Sequence, residues 1–294
     1  IDFFEKLFPL PELREYMWNH LSSALIGINR NQTFNIYNGV GSNGKSAMIE
    51  LMSHIMGDYK VVVPMQLLTQ KRSSIGTASP EIALLKGKRY AVMSEPSKGD
   101  VINEGIMKEI TGNDPIQGRL LYKDVVTFVP QMTLVVCTNT LFEIRDTSEG
   151  TWRRIRLDEF MSTFVSEPDP AIKFQFKKDI NFSQKFSTWI PILTNMLIEL
   201  AFKNDGYVKD VDIVLTKSRN YRKQQDFHTQ FVDEMIVKEE GECIKKAEIK
   251  NQFQQWYEVN IGEKIPKGAY KELYAYLDKK IGDYTLNTPR CWKG

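Results

Sequence analysis

The chain has 294 residues, with 39 Lys plus Arg against 37 Asp plus Glu, a formal net charge of +2, 42% hydrophobic residues and 26% charged. That is globular composition, which excludes wholesale disorder and a collagen-like fibre, and no apolar run approaches the roughly 18 residues needed to span a bilayer. Near-neutral charge excludes a protein coated in basic surface, and three cysteines without metal-ligand spacing (Cys137, Cys243, Cys291) read as thiols of a reduced intracellular chain.

The chain opens on Ile1 and reads as a segment of a longer polypeptide. Over residues 1–30, apolar side chains at mixed three- and four-residue spacing (Phe4, Leu7, Phe8, Leu13, Met17, Leu21, Leu25) predict one or two amphipathic helices, broken at Pro9 and Pro11. From 31 to 165 the pattern changes to short apolar runs, Phe34–Tyr37, Tyr90–Met93 and Thr133–Cys137, separated by helical or Gly/Asn-containing stretches. Such runs are what strands covered on both faces look like, so an α/β core with a mainly parallel, doubly wound sheet is expected. Residues 170–203 read as helix with Pro191 as a kink or restart, and 204–226 as a polar link, together forming a helical extension over 166–226. The Trp and Phe residues of both helical regions read as core. Residues 227–294 predict three helices, at 227–237, 246–259 and 268–281, then a short β-like tail at 284–286.

Gly39-Val40-Gly41-Ser42-Asn43-Gly44-Lys45-Ser46 fits the phosphate-binding pattern G-x-x-x-x-G-K-[ST]. Glycines let backbone N–H groups turn inward around a β-phosphate, and the N-terminus of the following helix adds partial positive charge. Lys45 is placed for the β- and γ-phosphates of ATP, and the Ser46 hydroxyl for Mg²⁺; Gly39, Gly41, Ser42, Asn43 and Gly44 form the cradle. A strand-like run precedes the motif and a helical run follows it, as its chemistry requires.

Downstream, Glu95 ends the second apolar run. It is placed to help hold Mg²⁺ or orient a water, or else it is a solvated strand-end acid. Ser94 stands where many motor ATPases carry a second acid. Asn139 follows the third run, as a γ-phosphate sensor or a turn former. After an acidic, Gly-containing loop come Arg153 and Arg154, either donors to a neighbouring subunit's γ-phosphate or surface residues paired with Asp146 or Glu149.

In this order the series resembles the superfamily III helicases of DNA viruses and phages. It is most similar to the poxvirus-type helicase–primase ATPases of large nucleocytoplasmic DNA viruses. The residues that carry the resemblance are Asn38–Ser46, Arg89–Pro96, Lys108–Asp114 with Arg119, Thr138-Asn139 and Gly150–Arg154. The resemblance implies a P-loop, AAA+-like core at 31–165, flanked by the N-terminal helical segment and a winged-helix-like domain at 227–294. It implies a homo-hexameric ring that hydrolyses ATP at subunit interfaces and moves on single-stranded DNA to unwind forked duplex DNA. It also implies a primase region N-terminal to this segment and an intracellular site of action in host cytoplasm, with no membrane partner. Carried over by position, Lys45, Glu95, Asn139, Arg153 and Arg154 are the catalytic residues, and Ser46 and Glu95 hold the metal. Lys108, Arg119, Tyr122 and Lys123 correspond to a helix and hairpin facing the DNA channel, two kinds of group suited to phosphates and base faces. Lys267 and Lys271 are DNA candidates on the third helix of the last domain, or part of a solvated charged face. The residues alone leave three other readings: a P-loop ATPase for DNA packaging or helicase loading, a small-molecule kinase, and a non-catalytic nucleic-acid-binding module with a structural nucleotide site.

Overall fold

The computed structural model describes residues 2–70, 77–93, 95–96, 100–237, 239–262, 265–266, 268–282, 284 and 291–293. They divide into two compact units, Ile1–Arg222 and Lys223–Gly294.

The first unit begins with α1 (Asp2–Leu7) and α2 (Pro11–Ser23), followed by β1 (Phe34–Asn38), α3 (Lys45–Met56), β2 (Lys60–Val63), α4 (Gln66–Thr69), α5 (Pro80–Ala83) and β3 (Tyr90–Met93). Next come α6 (Glu104–Ile110), β4 (Ile116–Arg119), β5 (Val125–Phe128), β6 (Thr133–Thr138), α7 (Glu149–Trp152) and β7 (Ile155–Glu159). The unit closes with β8 (Thr163–Val165), β9 (Gln175–Lys177), α8 (Phe186–Asn204) and α9 (Asp212–Gln225).

Five strands form one sheet in the order β2-β3-β6-β1-β7, and every neighbouring pair is parallel. Alternation decides which side chains go where, because successive residues of a strand point to opposite faces. Tyr37, Tyr90, Val92 and Val135 pack with α1, α2, α3 and α8 in one buried cluster. Phe34, Ile36, Ala91, Met93, Leu134 and Val136 pack with residues of α4, α6 and α7 in another. Both faces are therefore covered, which is why these strands read as unbroken apolar runs. The α/β class and mainly parallel sheet are as expected.

Two local expectations differ from the structure. Residues 170–181 are not helical: β9 pairs with β8 there, and α8 starts only at Phe186. Pro191 lies inside α8 without ending it. It is exposed, as is Ser187, whose carbonyl the missing N–H leaves to solvent. Residues 204–226 contain α9 instead of a bare link, with Val214, Ser218 and Tyr221 buried at helical spacing. Tyr221 donates to the Phe142 carbonyl, which pins α9 to the sheet side of the unit.

The second unit contains α10 (Phe227–Met235), β10 (Cys243–Ile244), α11 (Lys246–Asn260), α12 (Ala269–Lys280) and β11 (Trp292–Lys293). Strands β10 and β11 pair antiparallel. Phe231, Phe253, Trp256, Leu273, Leu277 and Trp292 make its core. Residues 285 and 286 of the expected tail lie outside the described residues.

Candidate functional site

Strand β1 ends at Asn38, and residues 39–44 turn the chain into α3. Gly44 holds φ +84°, and a Cβ there would come within 2.5 Å of Leu7 Cδ1, so only glycine fits between the loop and α1. Two backbone bonds brace the loop from the segment after β7: Phe160 N–H donates to the Asn38 carbonyl and Phe164 N–H to the Ser42 carbonyl, both at 2.8 Å. Ser162 Oγ in turn donates to the Lys6 carbonyl at 2.6 Å, tying α1 to the same brace. Gly41 faces open space, Ser42 and Ser46 are exposed, and the buried Asn43 amide nitrogen has no partner. This glycine-lined cradle, with an orphaned donor behind it and a helix N-terminus at its base, fits a phosphate chain.

Because β3, β6 and β1 are adjacent and parallel, their C-terminal ends open on one edge, where ligands of such sheets bind. Lys45 Nζ donates to Asn139 Oδ1 at 2.8 Å and to the Gly39 carbonyl at 2.5 Å. Asn139 N–H donates to Glu95 Oε1 at 2.9 Å. Residues from three parts of the sequence thus meet as one chain of contacts. Burial draws the Lys45 ammonium below the ordinary lysine value, opposed by Cys137 and Glu95. Glu95, Asn139 and Ser46 are exposed at the edge. Ser94 lies outside the described residues. No group of three or more His, Cys, Asp or Glu suited to a metal occurs among the described residues. One hydroxyl and one carboxylate nevertheless suit Mg²⁺, which keeps several waters and takes few protein ligands.

Arg153 and Arg154 follow α7, on the loop into β7. Arg153 is exposed and donates to Gln32 Oε1 at 3.0 Å, while Arg154 donates to the Gly150 carbonyl at 2.5 Å. Among the described residues neither makes an ion pair: Glu149 pairs with Arg222 and Asp146 with Lys108. Burial, then the Arg153 charge, lowers the Arg154 guanidinium from its ordinary value, and its Nε is buried without a partner.

Asp146, weighed in the sequence as a partner of the arginines, is bonded to other groups. Its Oδ2 accepts from Lys108 Nζ at 2.6 Å, Thr151 Oγ1 at 2.5 Å and Ser148 Oγ at 2.8 Å, and its Oδ1 from Ser148 N–H at 2.8 Å. Its carbonyl accepts from Trp152 Nε1 at 2.8 Å. These bonds hold the carboxyl well below the usual carboxylate range against the opposing effect of burial. Lys108, on α6 ahead of the hairpin, pairs with the loop that carries the arginines.

Strands β4 and β5 do form an antiparallel hairpin. Its turn end is tied to the segment before α5: Ser79 N–H donates to the Arg119 carbonyl at 2.8 Å, and Ser79 Oγ accepts from Arg119 N–H at 3.1 Å. Gly118 is required there, since a Cβ would lie 2.5 Å from Ala83 N. Arg119 Nε donates across the turn to the Lys123 carbonyl at 3.0 Å. Tyr122 is 94% exposed and sits at φ +57°, an uncommon backbone state for a bulky residue. Arg119, Tyr122 and Lys123 thus share one projecting tip, which Lys108 does not join. In the second unit Lys271 is exposed on α12, and Lys267 lies outside the described residues.

A family described as a family of unknown function, DUF5906, matches residues 37–154, the stretch from the end of β1 to the double arginine. The chain is 31% identical over 297 aligned residues to "Putative helicase L207/L206" of Acanthamoeba polyphaga mimivirus, covering 97% of this chain and 31% of that protein. It is 32% identical to "Putative helicase 022R" of Frog virus 3, covering 96% of this chain and 30% of that protein. It is 27% identical to "Putative primase C962R" of African swine fever virus, covering 97% of this chain and 31% of that protein. The chain therefore spans about a third of the length of these relatives. Among solved structures it is similar to the apo C-terminal region of NrS-1, with a TM-score of 0.54 at 13% identity, covering 96% of this chain and 66% of that one. At that identity the likeness is one of fold. No helix among the described residues is long and apolar enough to cross a membrane.

Proposed function

The chain is a relative of the proteins named as helicases and primases in large nucleocytoplasmic DNA viruses, and from that premise we propose that it is the ATP-hydrolysing motor segment of a viral replication helicase. The observation that carries this reading is the meeting of Lys45, Asn139 and Glu95 at the open edge of the sheet, beside the glycine cradle.

Without an anion, the Lys45 ammonium is satisfied by an amide oxygen and a backbone carbonyl. A triphosphate in the cradle offers it stronger, charged acceptors, so Lys45 turns to the phosphates and releases Asn139. The freed amide is then placed to orient a water for in-line attack on the γ-phosphorus, with Glu95 accepting that water's proton. Mg²⁺, held by Ser46 and Glu95, would supply neutralising charge to the β- and γ-oxygens. Arg153 and Arg154, unpaired with any described carboxylate, suit the γ-phosphate of a neighbouring copy, since a guanidinium forks onto phosphate oxygens. Sharing of this kind requires contact between copies, and we take the assembly to be a hexameric ring that passes single-stranded DNA by the Arg119–Lys123 hairpin. The near-neutral total charge is compatible with that, because cations are needed only where DNA runs.

Unwinding of a forked duplex under ATP, with mass measured in solution, tests the assembly. ATP-dependent strand separation by a hexamer is expected. A monomer that hydrolyses ATP without regard to DNA would favour the small-molecule kinase.

A further inference from the structure

A cavity of about 560 Å³ opens directly from the phosphate cradle, with Lys45 and Ser46 on one wall. Four aromatic rings also line it, Phe3, Phe164, Phe182 and Trp189, among charged side chains that include Lys6, Lys177 and Asp179. The volume is in the range of small-ligand sites. The four rings are only partly buried, whereas the neighbouring Phe4, Leu7, Phe8 and Phe186 are buried completely. Phe3 is the centre of the wall. Its ring centroid lies 4.6 Å from Phe182, 6.1 Å from Trp189 at an interplanar angle of 28°, and 6.3 Å from Phe164. The sequence pattern assigned Phe3, Phe182 and Trp189 to the core, yet they line the cavity with ring surface left open.

The wall is built onto the loop. Phe164 carries the N–H that holds the Ser42 carbonyl, and α1 supplies both Phe3 and, one turn later, the Leu7 that packs against Gly44. Whatever fills the cradle is therefore next to a slot that offers flat aromatic surface among charged side chains.

We propose that this slot is the base-and-ribose subsite of the nucleotide, with the base stacked against the Phe3–Trp189 wall. The inference rests on the reading of residues 39–46 as a triphosphate site. It makes α1, which precedes the sheet entirely, part of nucleotide recognition. Base–aromatic stacking is strong enough for deletion of one ring to be measurable, and it acts on the base alone.

The test compares ATP with inorganic tripolyphosphate, which offers phosphates without a base, by titration calorimetry with magnesium present. Phe3→Ala and Trp189→Ala should each weaken ATP binding roughly tenfold. Both should leave the tripolyphosphate affinity within about twofold, which also reports that the cradle is still folded. Unchanged ATP affinity, or equal loss for both ligands, would overturn the subsite. Lys45→Ala should weaken both ligands. If it weakens neither, or wild-type chain binds neither, the triphosphate reading itself fails and the subsite falls with it.

Discussion

Lys45 Nζ and Asn139 Oδ1 lie 2.8 Å apart, joining the first residue of α3 to the residue just past β6. The contact exists because β1 and β6 are neighbours in register, Asn38 opposite Thr138, so the residues that follow each strand emerge side by side. An ammonium held by a neutral amide is poised for exchange, because phosphate is the better acceptor.

Lys45→Ala should reduce ATP turnover by at least about a hundredfold, since the charge at the β- and γ-phosphates is lost. Asn139→Ala should lower kcat by roughly tenfold to a hundredfold with a smaller change in KM, as expected for a group acting on the attacking water. Steady-state kinetics separate the two. An Asn139→Ala enzyme with normal kcat would remove Asn139 from the chemistry.

Arg153→Ala or Arg154→Ala should inactivate in a way that mixing reveals. Combined with inactive Lys45→Ala subunits, at least one of the two variants should regain partial ATPase activity, because intact sites form where the two kinds of subunit meet. Mixtures that assemble normally yet stay inactive argue against sharing.

Tyr122→Ala and Lys123→Ala should weaken single-strand binding with little effect on DNA-free ATP turnover, since both are exposed at the hairpin turn and neither lines the cavity beside the cradle. Removing the lysine should also reduce the salt dependence of binding by about 0.7 in log–log slope. Fluorescence anisotropy across a salt series checks both effects, and an unchanged affinity would take the hairpin off the DNA path.

Asp146→Ala should lower the stability of the first unit by about 2 kcal/mol, because Lys108, Thr151 and Ser148 lose a shared acceptor. Asp146 is held below its unfolded value, so its contribution is complete above the ordinary carboxylate range and is lost as pH falls through and below it. Denaturant melts of wild type and variant should therefore converge in strong acid.

His20 gives a second pH signature. It is fully enclosed, its Nε2 lies 2.7 Å from the Tyr37 hydroxyl, and burial pushes its pKa down to about 4 from 6.5. The unfolded chain then binds a proton that the folded chain refuses, so stability is complete above about 6.5 and falls as pH drops toward 4. Between pH 6.5 and 5 the loss should be about 2 kcal/mol. His20→Gln should remove that part of the acid sensitivity in denaturant melts, and equal sensitivity in both chains would contradict it.

The cradle and the three central strands were legible because their physics is local: glycines before a lysine, and apolar runs buried on both faces. Strand β7 was not, because Arg156, Asp158 and Glu159 interrupt it. Arg156 is buried there with its guanidinium satisfied by the Arg153 and Ile155 carbonyls and by Asp210, which takes two bonds at 2.6 and 2.8 Å from 54 residues away. Edge strand β2 was missed for its brevity and partial exposure. The Lys108–Asp146 pair was not legible, because its partners stand 38 positions apart. The aromatic wall read as core because periodicity reports apolar faces, not whether a neighbouring loop leaves a gap beside them.

ATP hydrolysis by this chain, measured with and without single-stranded DNA and with Lys45→Ala alongside, tests the central claim most directly. Turnover that rises severalfold with DNA and vanishes in the variant is the predicted result. Absence of hydrolysis under both conditions, or turnover that survives Lys45→Ala, would contradict it.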